Sequence, residues 1–259
     1  MPEPRTPAGR EGLAALRADP GSAVVALDYD GTLAPVVARP EDAVPAPGAV
    51  AALRGLAAEV GTLALVTGRP ADLVVELAGL QDVPGLLVLG QYGAQRWDGV
   101  LSGDPAAPGI VELRHVLPGL LGPARLEDKG LSLVVHVRGL ADPQAELDRL
   151  RPVLLELAQP YGLEVHPGRQ VLEVRPPGTD KRTALLSLCE PLPSAVLFAG
   201  DDVGDLPAFD AVEELRAAGV PGVTVCSASD EGPSELCARA DLVVPGPAGL
   251  VALLGQLLG

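Results

Sequence analysis

The sequence predicts an α/β fold: a parallel sheet with helices on both faces, and a smaller α/β unit inserted into it. Three observations carry this expectation. The apolar runs Ala23–Leu27, Gly61–Val66 and Ala195–Ala199 have the length and β-branched bias of strands buried on both faces, and helix-like sequence separates the first two. Each run stops abruptly on polar residues and glycine, as strands do where they enter a ligand crevice. Between the second and third runs the texture changes to strict alternation, bounded by clusters of Pro and Gly. The domains expected are residues 1–105 and 178–259 for the core and 106–177 for the insertion.

Composition sets the outer limits. Of 259 residues, 47% are hydrophobic but only 2% aromatic, so the core has to be built from Ala, Val and Leu. Asp and Glu number 34 against 19 Lys and Arg, a formal net charge of -15, which argues against a nucleic-acid partner because phosphate backbones are held by basic surfaces. One small anionic substrate is compatible with that charge if a bound cation and a few lysines reverse the local field. The N-terminus lacks the apolar stretch of a signal peptide and no run approaches a membrane span, so a cytoplasmic protein with no membrane contact is expected. A monomer is the separate expectation for its assembly. Cys189, Cys226 and Cys237 match no metal-ligand spacing and leave one cysteine over in any disulfide scheme; their expected role is small apolar packing in a reducing compartment.

In chain order, a short amphipathic helix is expected near Arg10–Ala18, followed by the strand that ends at Asp28. Asp28 and Asp30 are spaced to project toward one side as the strand turns, giving one carboxylate to attack and another to move protons, and Gly31 permits the turn. A calcium loop would need glycine at its sixth position and glutamate at its twelfth, where this stretch has Gly31 fourth and Arg39 twelfth. A solvated acidic turn is the plain alternative. A helix from Pro47 through Ala58 leads to the strand Gly61–Val66, whose exit, Thr67-Gly68-Arg69, offers a hydroxyl, a flexible backbone and a guanidinium for a phosphoryl oxygen; Thr67 could equally cap a helix. A third strand, Leu86–Leu89, runs into Gly90-Gln91-Tyr92-Gly93.

In the inserted unit, Leu131, Leu133, Val135 and Val137 alternate with Ser132, Val134, His136 and Arg138, which implies a sheet covered on one face. Helix-like sequence fills Pro143–Ala158, and Leu172 and Val174 then alternate with Val171, Glu173 and Arg175. Lys129, His136, Arg138, Glu173 and Arg175 thus share the open face, either as solvated strand positions or, together, as a sugar-recognition surface on a lid. Past Pro176-Pro177-Gly178, Thr179 or Asp180 can cap a helix starting at Lys181, which brings an ammonium to the crevice. The strand Ala195–Ala199 ends on Gly200-Asp201-Asp202-Val203-Gly204-Asp205. So many carboxylates beside Asp28 would repel one another without a divalent cation, and hard oxygen donors suit magnesium. Strands at Gly222–Cys226 and Asp241–Val244 and a helix from Pro247 to Leu258 close the chain.

Taken together, Asp28-x-Asp30-Gly31-Thr32, Thr67, Lys181 and Gly200-Asp201-Asp202 with Asp205 resemble the four motifs of the haloacid dehalogenase superfamily of phosphatases. Finer features resemble its trehalose-6-phosphate phosphatases: Val66-Thr67-Gly68-Arg69, Gly90-x-Tyr92-Gly93-Ala94, Glu127-Asp128-Lys129-Gly130, His136-x-Arg138 and Leu172-Glu173-Val174-Arg175-Pro176-Pro177-Gly178. The chain departs from the family pattern at Gln95, where a carboxylate is usual, at Arg182, where glycine commonly follows the lysine, and at Gly204 and Leu206 in the last motif. The resemblance implies a Rossmann-like core with a cap, and a magnesium-dependent hydrolysis of trehalose 6-phosphate to trehalose and phosphate. Asp28 would be the nucleophile and Asp30 the acid and base, with Thr67 and Lys181 holding the transferring oxygens. Metal ligands would be Asp28, Asp30 through its carbonyl, and Asp201, supported by Asp202 and Asp205. Gly68, Arg69, Gln91, Glu127, Lys129, His136, Arg138 and Glu173 would bind substrate, and lid closure would exclude water. A phosphatase for another sugar phosphate and a non-catalytic sugar-phosphate binder remain as alternatives.

Overall fold

The computed structural model describes residues 2–37, 39–168, 170–229 and 234–257. The chain divides into two compact units, 1–102 with 180–259, and 103–179.

The first half of the larger unit runs α1 (Pro7–Ala18), β1 (Val24–Leu27), α2 (Ala49–Ala57), β2 (Thr62–Val66), α3 (Ala71–Ala78), β3 (Leu86–Gly90), β4 (Gln95–Trp97) and β5 (Leu101–Gly103). The smaller unit holds α4 (Pro108–Val116), β6 (Arg125–Asp128), β7 (Leu133–His136), α5 (Pro143–Ala158), β8 (Glu164–Gly168) and β9 (Val171–Arg175). The larger unit resumes with α6 (Lys181–Leu188), β10 (Val196–Gly200), α7 (Leu206–Ala217), β11 (Gly222–Ala228), α8 (Ser234–Arg239), β12 (Leu242–Pro245) and α9 (Gly246–Leu254).

The larger unit's sheet has the order β12-β11-β10-β1-β2-β3-β4-β5, parallel from β12 through β3 and antiparallel between β3 and β4. On β1, Val25 and Leu27 enter a core shared with residues of α1, α2, α3 and α9, while Val24 and Ala26 enter a second core shared with α6, α7 and α8. That split is why the strand reads as a continuous apolar run: both faces are covered. The α/β fold with helices on both faces is therefore what this sequence forms. Among the described residues no helix is long and apolar enough to cross a membrane.

Several boundaries differ from the expectation for physical reasons. Helix α1 starts at Pro7 rather than Arg10 because Thr6 caps it, its side chain accepting from the Gly9 amide at 2.9 Å, with Pro7 preorganised at the first position. Helix α2 starts after Gly48, whose φ of +87° is not helical, so Pro47 lies outside it. The last helix begins at Gly246 and ends at Leu254; Leu258, its expected end, lies outside the described residues. The cysteines depart most: Cys226 and Cys237 are joined as a disulfide, and Cys189 is the free, buried one. Cys226 on β11 and Cys237 on α8 have their Cα atoms 5.3 Å apart, a pairing that spacing in the sequence could not reveal.

The smaller unit is an antiparallel sheet, β6-β7-β9-β8, with a core of its own. Leu133, Val135, Leu172 and Val174 face that core with Leu150 and Leu154 of α5 and Ile110 and Leu113 of α4. The opposite face is less open than the alternation implied, since Ser132, Val134, Glu173 and Arg175 are all buried. Glu173 there has partners of its own, as described below, and so tolerates burial.

Candidate active site

Parallel strands place their carboxyl ends at one edge, and the register fixes which residues emerge there. Leu27 stands opposite Ala199 on β10 and Leu65 on β2, so Asp28, Asp201 and Thr67 leave neighbouring strands side by side. Asp28 extends the strand by one hydrogen bond, its amide donating to the Ala199 carbonyl at 2.9 Å. The chain then folds into a tight turn in which the Leu33 amide donates to Tyr29 at 2.9 Å and the Gly31 amide to Ala34 at 2.7 Å. Gly31 is required twice over. Its φ is +74°, and a Cβ at that position would collide with the Asp201 carboxylate.

Lys181 opens α6, which Asp180 caps by accepting from the Thr183 amide at 2.7 Å. Its ammonium lies between two carboxylates, 2.7 Å from Asp28 Oδ1 and 2.7 Å from Asp205 Oδ1, and all three side chains are buried. The other oxygen of Asp205 accepts the amides of Asp201 at 2.9 Å and Asp202 at 3.1 Å. Asp205 therefore has its oxygens engaged: it orients Lys181 and closes the loop after β10. The absence of a side chain at Gly200 makes room for it, because a Cβ there would strike the Asp205 carboxylate. Asp202 caps the short turn before α7 by accepting from the Gly204 amide at 2.7 Å.

Oxygens of Asp28, Asp201 and Asp205 all lie within 4.8 Å of one another. Burial, with the charges of Asp205 and Asp202 beside it, pushes the Asp201 carboxyl up to about 8. Asp28 is raised well above the usual carboxylate range for the same first reason, burial, against the pull of Lys181. Burial alone would lower Lys181, but Asp205 and Asp28 more than offset it and hold the ammonium well above its ordinary value. One ammonium thus serves three buried carboxylates. An all-oxygen donor set short of positive charge is one that a divalent cation fits.

Asp30, half-buried, is held by Arg69 through two hydrogen bonds, from Nε to Oδ2 at 2.6 Å and from Nη2 to Oδ1 at 2.7 Å. Arg69 also donates to the Pro40 carbonyl at 2.7 Å and lies over the Tyr29 ring. Its guanidinium is thus engaged with Asp30 here. Thr67 does not cap α3; its Oγ1 accepts from the Arg69 amide at 3.2 Å, which shapes the turn after β2. Gly68 packs against Tyr92, leaving no room for a Cβ, and the buried Gln91 donates its amide to the Arg69 carbonyl at 2.9 Å. Gln95, where the family pattern has a carboxylate, accepts the first amide of α3, that of Ala71, at 2.9 Å; a side-chain amide keeps the acceptor this contact needs.

On the smaller unit, the register places Glu127, Val134, Glu173 and His166 in one row across the four strands, with Arg175 and Glu164 beside it on the same face. Glu173 accepts from Ser132 Oγ at 2.7 Å and pairs with Lys129 at 3.5 Å and Arg175 at 3.7 Å. Glu127 lies 2.6 Å from His136 Nε2, and that hydrogen bond, together with Lys129, holds its carboxyl below the usual range. Arg138 sits beyond β7, exposed in the following turn. His166, Glu164 and Ser227 belong to these constellations in the structure without being singled out by the sequence motifs. His166 and Glu164 were legible as polar positions alternating with Val165, and Ser227 as the polar residue that follows an apolar strand run.

A family model described as trehalose-phosphatase matches residues 26–98 and 121–241. The chain belongs to the trehalose-phosphatase family. A Mycobacterium marinum protein named trehalose-phosphate phosphatase is 31% identical over 250 residues, covering 90% of this chain and 60% of that protein. A Mycobacterium tuberculosis protein named an uncharacterized glycosyl hydrolase is 35% identical over 207 residues, covering 73% of this chain and 15% of that protein. The chain thus spans 60% and 15% of the lengths of these two relatives. The C-terminal domain of a C. albicans trehalose-6-phosphate phosphatase matches the fold with a TM-score of 0.78 at 19% identity, covering 100% of this chain and 99% of that one. The cluster formed by Asp28, Lys181, Asp201 and Asp205 therefore occurs within a trehalose-phosphatase fold.

Proposed function

We propose that this chain hydrolyses trehalose 6-phosphate to trehalose and phosphate, with magnesium as its cofactor. The observation that carries the reading is the buried Lys181 ammonium bridging Asp28 and Asp205 beside Asp201, in a chain of this family. Asp28 is the nucleophile. One of its oxygens forms a bond to phosphorus as the bond from phosphorus to the sugar oxygen breaks, giving an aspartyl-phosphate. Asp30 supplies the proton that the leaving sugar oxygen takes up, then removes one from the water that attacks the intermediate, which releases inorganic phosphate and restores Asp28. For either transfer Asp30 has to leave the pair it forms with Arg69. The freed guanidinium, Gly68, Gln91, Thr67 and Lys181 are then the groups that bind and steady the transferring oxygens.

Asp28, the backbone carbonyl of Asp30 and Asp201 are the groups that would hold magnesium, with Asp202 and Asp205 in support. The ion, when bound, offsets charge between the nucleophile and the phosphoryl group. Glu127, Lys129, His136, Arg138 and Glu173 of the smaller unit are assigned to the sugar. The pairs Glu127–His136 and Lys129–Glu173 support that assignment, since they collect hydrogen-bonding groups of both signs on one face, which suits the hydroxyl groups of a sugar.

The deciding experiment is phosphate release from trehalose 6-phosphate with magnesium by the wild type and by Asp28→Asn. The amide has no charged oxygen to attack with, so the variant is expected to be folded and inactive. Wild-type turnover by that variant would remove Asp28 from its role.

A further inference from the structure

The turn that carries Asp28 and Asp30 is gripped by a strand with no part in the chemistry above. β11 lies two strands away from β1, on the far side of β10, and its Cys226 stands opposite Gly200, the last residue of β10. Ser227 comes next. It is fully buried, and its hydroxyl donates to the Gly31 carbonyl at 2.7 Å, reaching across the sheet edge at the point where Asp201 begins. Gly31 is the residue at which a Cβ would strike the Asp201 carboxylate. A hydrogen bond that fixes the Gly31 carbonyl therefore also fixes how closely the nucleophile turn approaches Asp201. Thr32 Oγ1, the other hydroxyl near this contact, is 3.5 Å from Asp201 Oδ1, too long to hold the spacing well.

We propose that Ser227 is a positioning residue for phosphoryl transfer: its hydroxyl locks the Gly31 carbonyl and keeps the Asp28–Asp30 turn in register with Asp201. A carbonyl can only accept, so the group at 227 has to be a donor, and a buried carbonyl deprived of its donor relaxes toward another partner. Such relaxation moves Gly31, and with it the spacing between the nucleophile and the opposing carboxylate. Misplacement on that scale is felt in the reacting geometry more than in substrate affinity.

The inference rests on the phosphatase reading for its rate measurement, and a second measurement does not involve turnover. Ser227→Ala and Ser227→Thr are compared with the wild type for hydrolysis of p-nitrophenyl phosphate, for Mn2+ affinity by electron paramagnetic resonance, and for Tm. Ser227→Ala is expected to lower kcat about tenfold, with KM changed less than about twofold, and to weaken Mn2+ binding several-fold, while Ser227→Thr, which keeps the donor, retains kcat within about threefold. If Ser227→Ala does not fold, Ser227→Cys, a weak donor of similar size, is judged by the same criteria. A folded variant with lowered Tm but wild-type kcat and Mn2+ affinity overturns the proposal, as does a folded Ser227→Thr as impaired as Ser227→Ala. A wild type that neither turns over the aryl phosphate nor binds Mn2+ counts against the phosphatase reading. An active wild type matched by Ser227→Ala counts against Ser227 alone.

Discussion

Replacing Lys181 with methionine removes the cation from the site while nearly conserving the volume of the side chain. Its ammonium is 2.7 Å from both Asp28 and Asp205, at full burial. At an effective dielectric near 20, each contact is worth about 6 kcal/mol of gross Coulomb energy, from which the several kcal/mol of desolvation per ion must be subtracted. Breaking a buried pair by removing one partner leaves the other uncompensated, so Lys181→Met is expected to destabilise the fold by about 3–5 kcal/mol. Urea unfolding followed by circular dichroism at neutral pH measures this. A double-mutant cycle with Asp205→Asn isolates the pair, because an amide oxygen at 205 can still accept the Asp201 and Asp202 amides while the charge and the oxygen that faces Lys181 are lost. The two substitutions together should cost less than the sum of each alone by about 1–3 kcal/mol. A loss below about 1 kcal/mol for Lys181→Met, or additivity in the cycle, would refute the claim that this ammonium offsets the carboxylates.

Other outcomes follow from the same geometry. Activity should vanish after chelation, return with magnesium and be suppressed by calcium, whose larger shell and looser geometry would engage both oxygens of Asp28; full activity in metal-free enzyme refutes this. Gly31→Ala should lower phosphate release at least tenfold, since its Cβ meets the Asp201 carboxylate at a φ of +74°, and a wild-type rate would show that the turn has room to spare. Lys129→Ala should depress kcat/KM for trehalose 6-phosphate about ten- to a hundredfold and for an aryl phosphate by less than about threefold, whereas Asp30→Ala depresses both; equal losses would show that this face does not read the sugar.

The elements buried on two sides were the most legible. β1, β2, β3 and β10 read as nearly continuous apolar runs, and β11 as one interrupted by Thr224, because α1, α2, α3 and α9 cover one face of the sheet and α6, α7 and α8 the other. Elements with weaker burial signals were missed. β4 and β5 lie at an edge and carry exposed residues, while β6 and β8 flank the small sheet with few apolar side chains. The helices α3, α4, α7 and α8 were also unassigned, α8 being a six-residue piece pinned by its disulfide rather than by a long apolar stripe. The alternation in the smaller unit correctly marked its inner face, with Leu133 and Val135 opposite Val174 and Leu172. It misjudged the outer one, because burial of Glu173 depends on pairing with Arg175 of its own strand and with Lys129 of the connection between β6 and β7.

Within the site, residue type and strand end told which groups arrive at the edge, but not which of them pair. Asp28, Asp201, Asp205 and Lys181 could be gathered from the sequence, since each follows a strand or opens a helix. That Lys181 chooses Asp28 and Asp205, while Asp201 faces Gly31, depends on loop geometry set by the amides that Asp205 accepts. Arg69 shows the same limit from the other side. Its position after β2 fits both a phosphoryl oxygen and the Asp30 carboxylate, and in this structure the carboxylate holds it at 2.6 and 2.7 Å. A bidentate pair of that kind is strong because the planar guanidinium matches two oxygens at once. A dianionic phosphoryl group offers the same geometry with more charge, so substrate can compete for Arg69 where a neutral sugar cannot. On the proposed phosphatase reading, the two residues pair with each other as observed here and would act as separate tools once the phosphoryl group arrives.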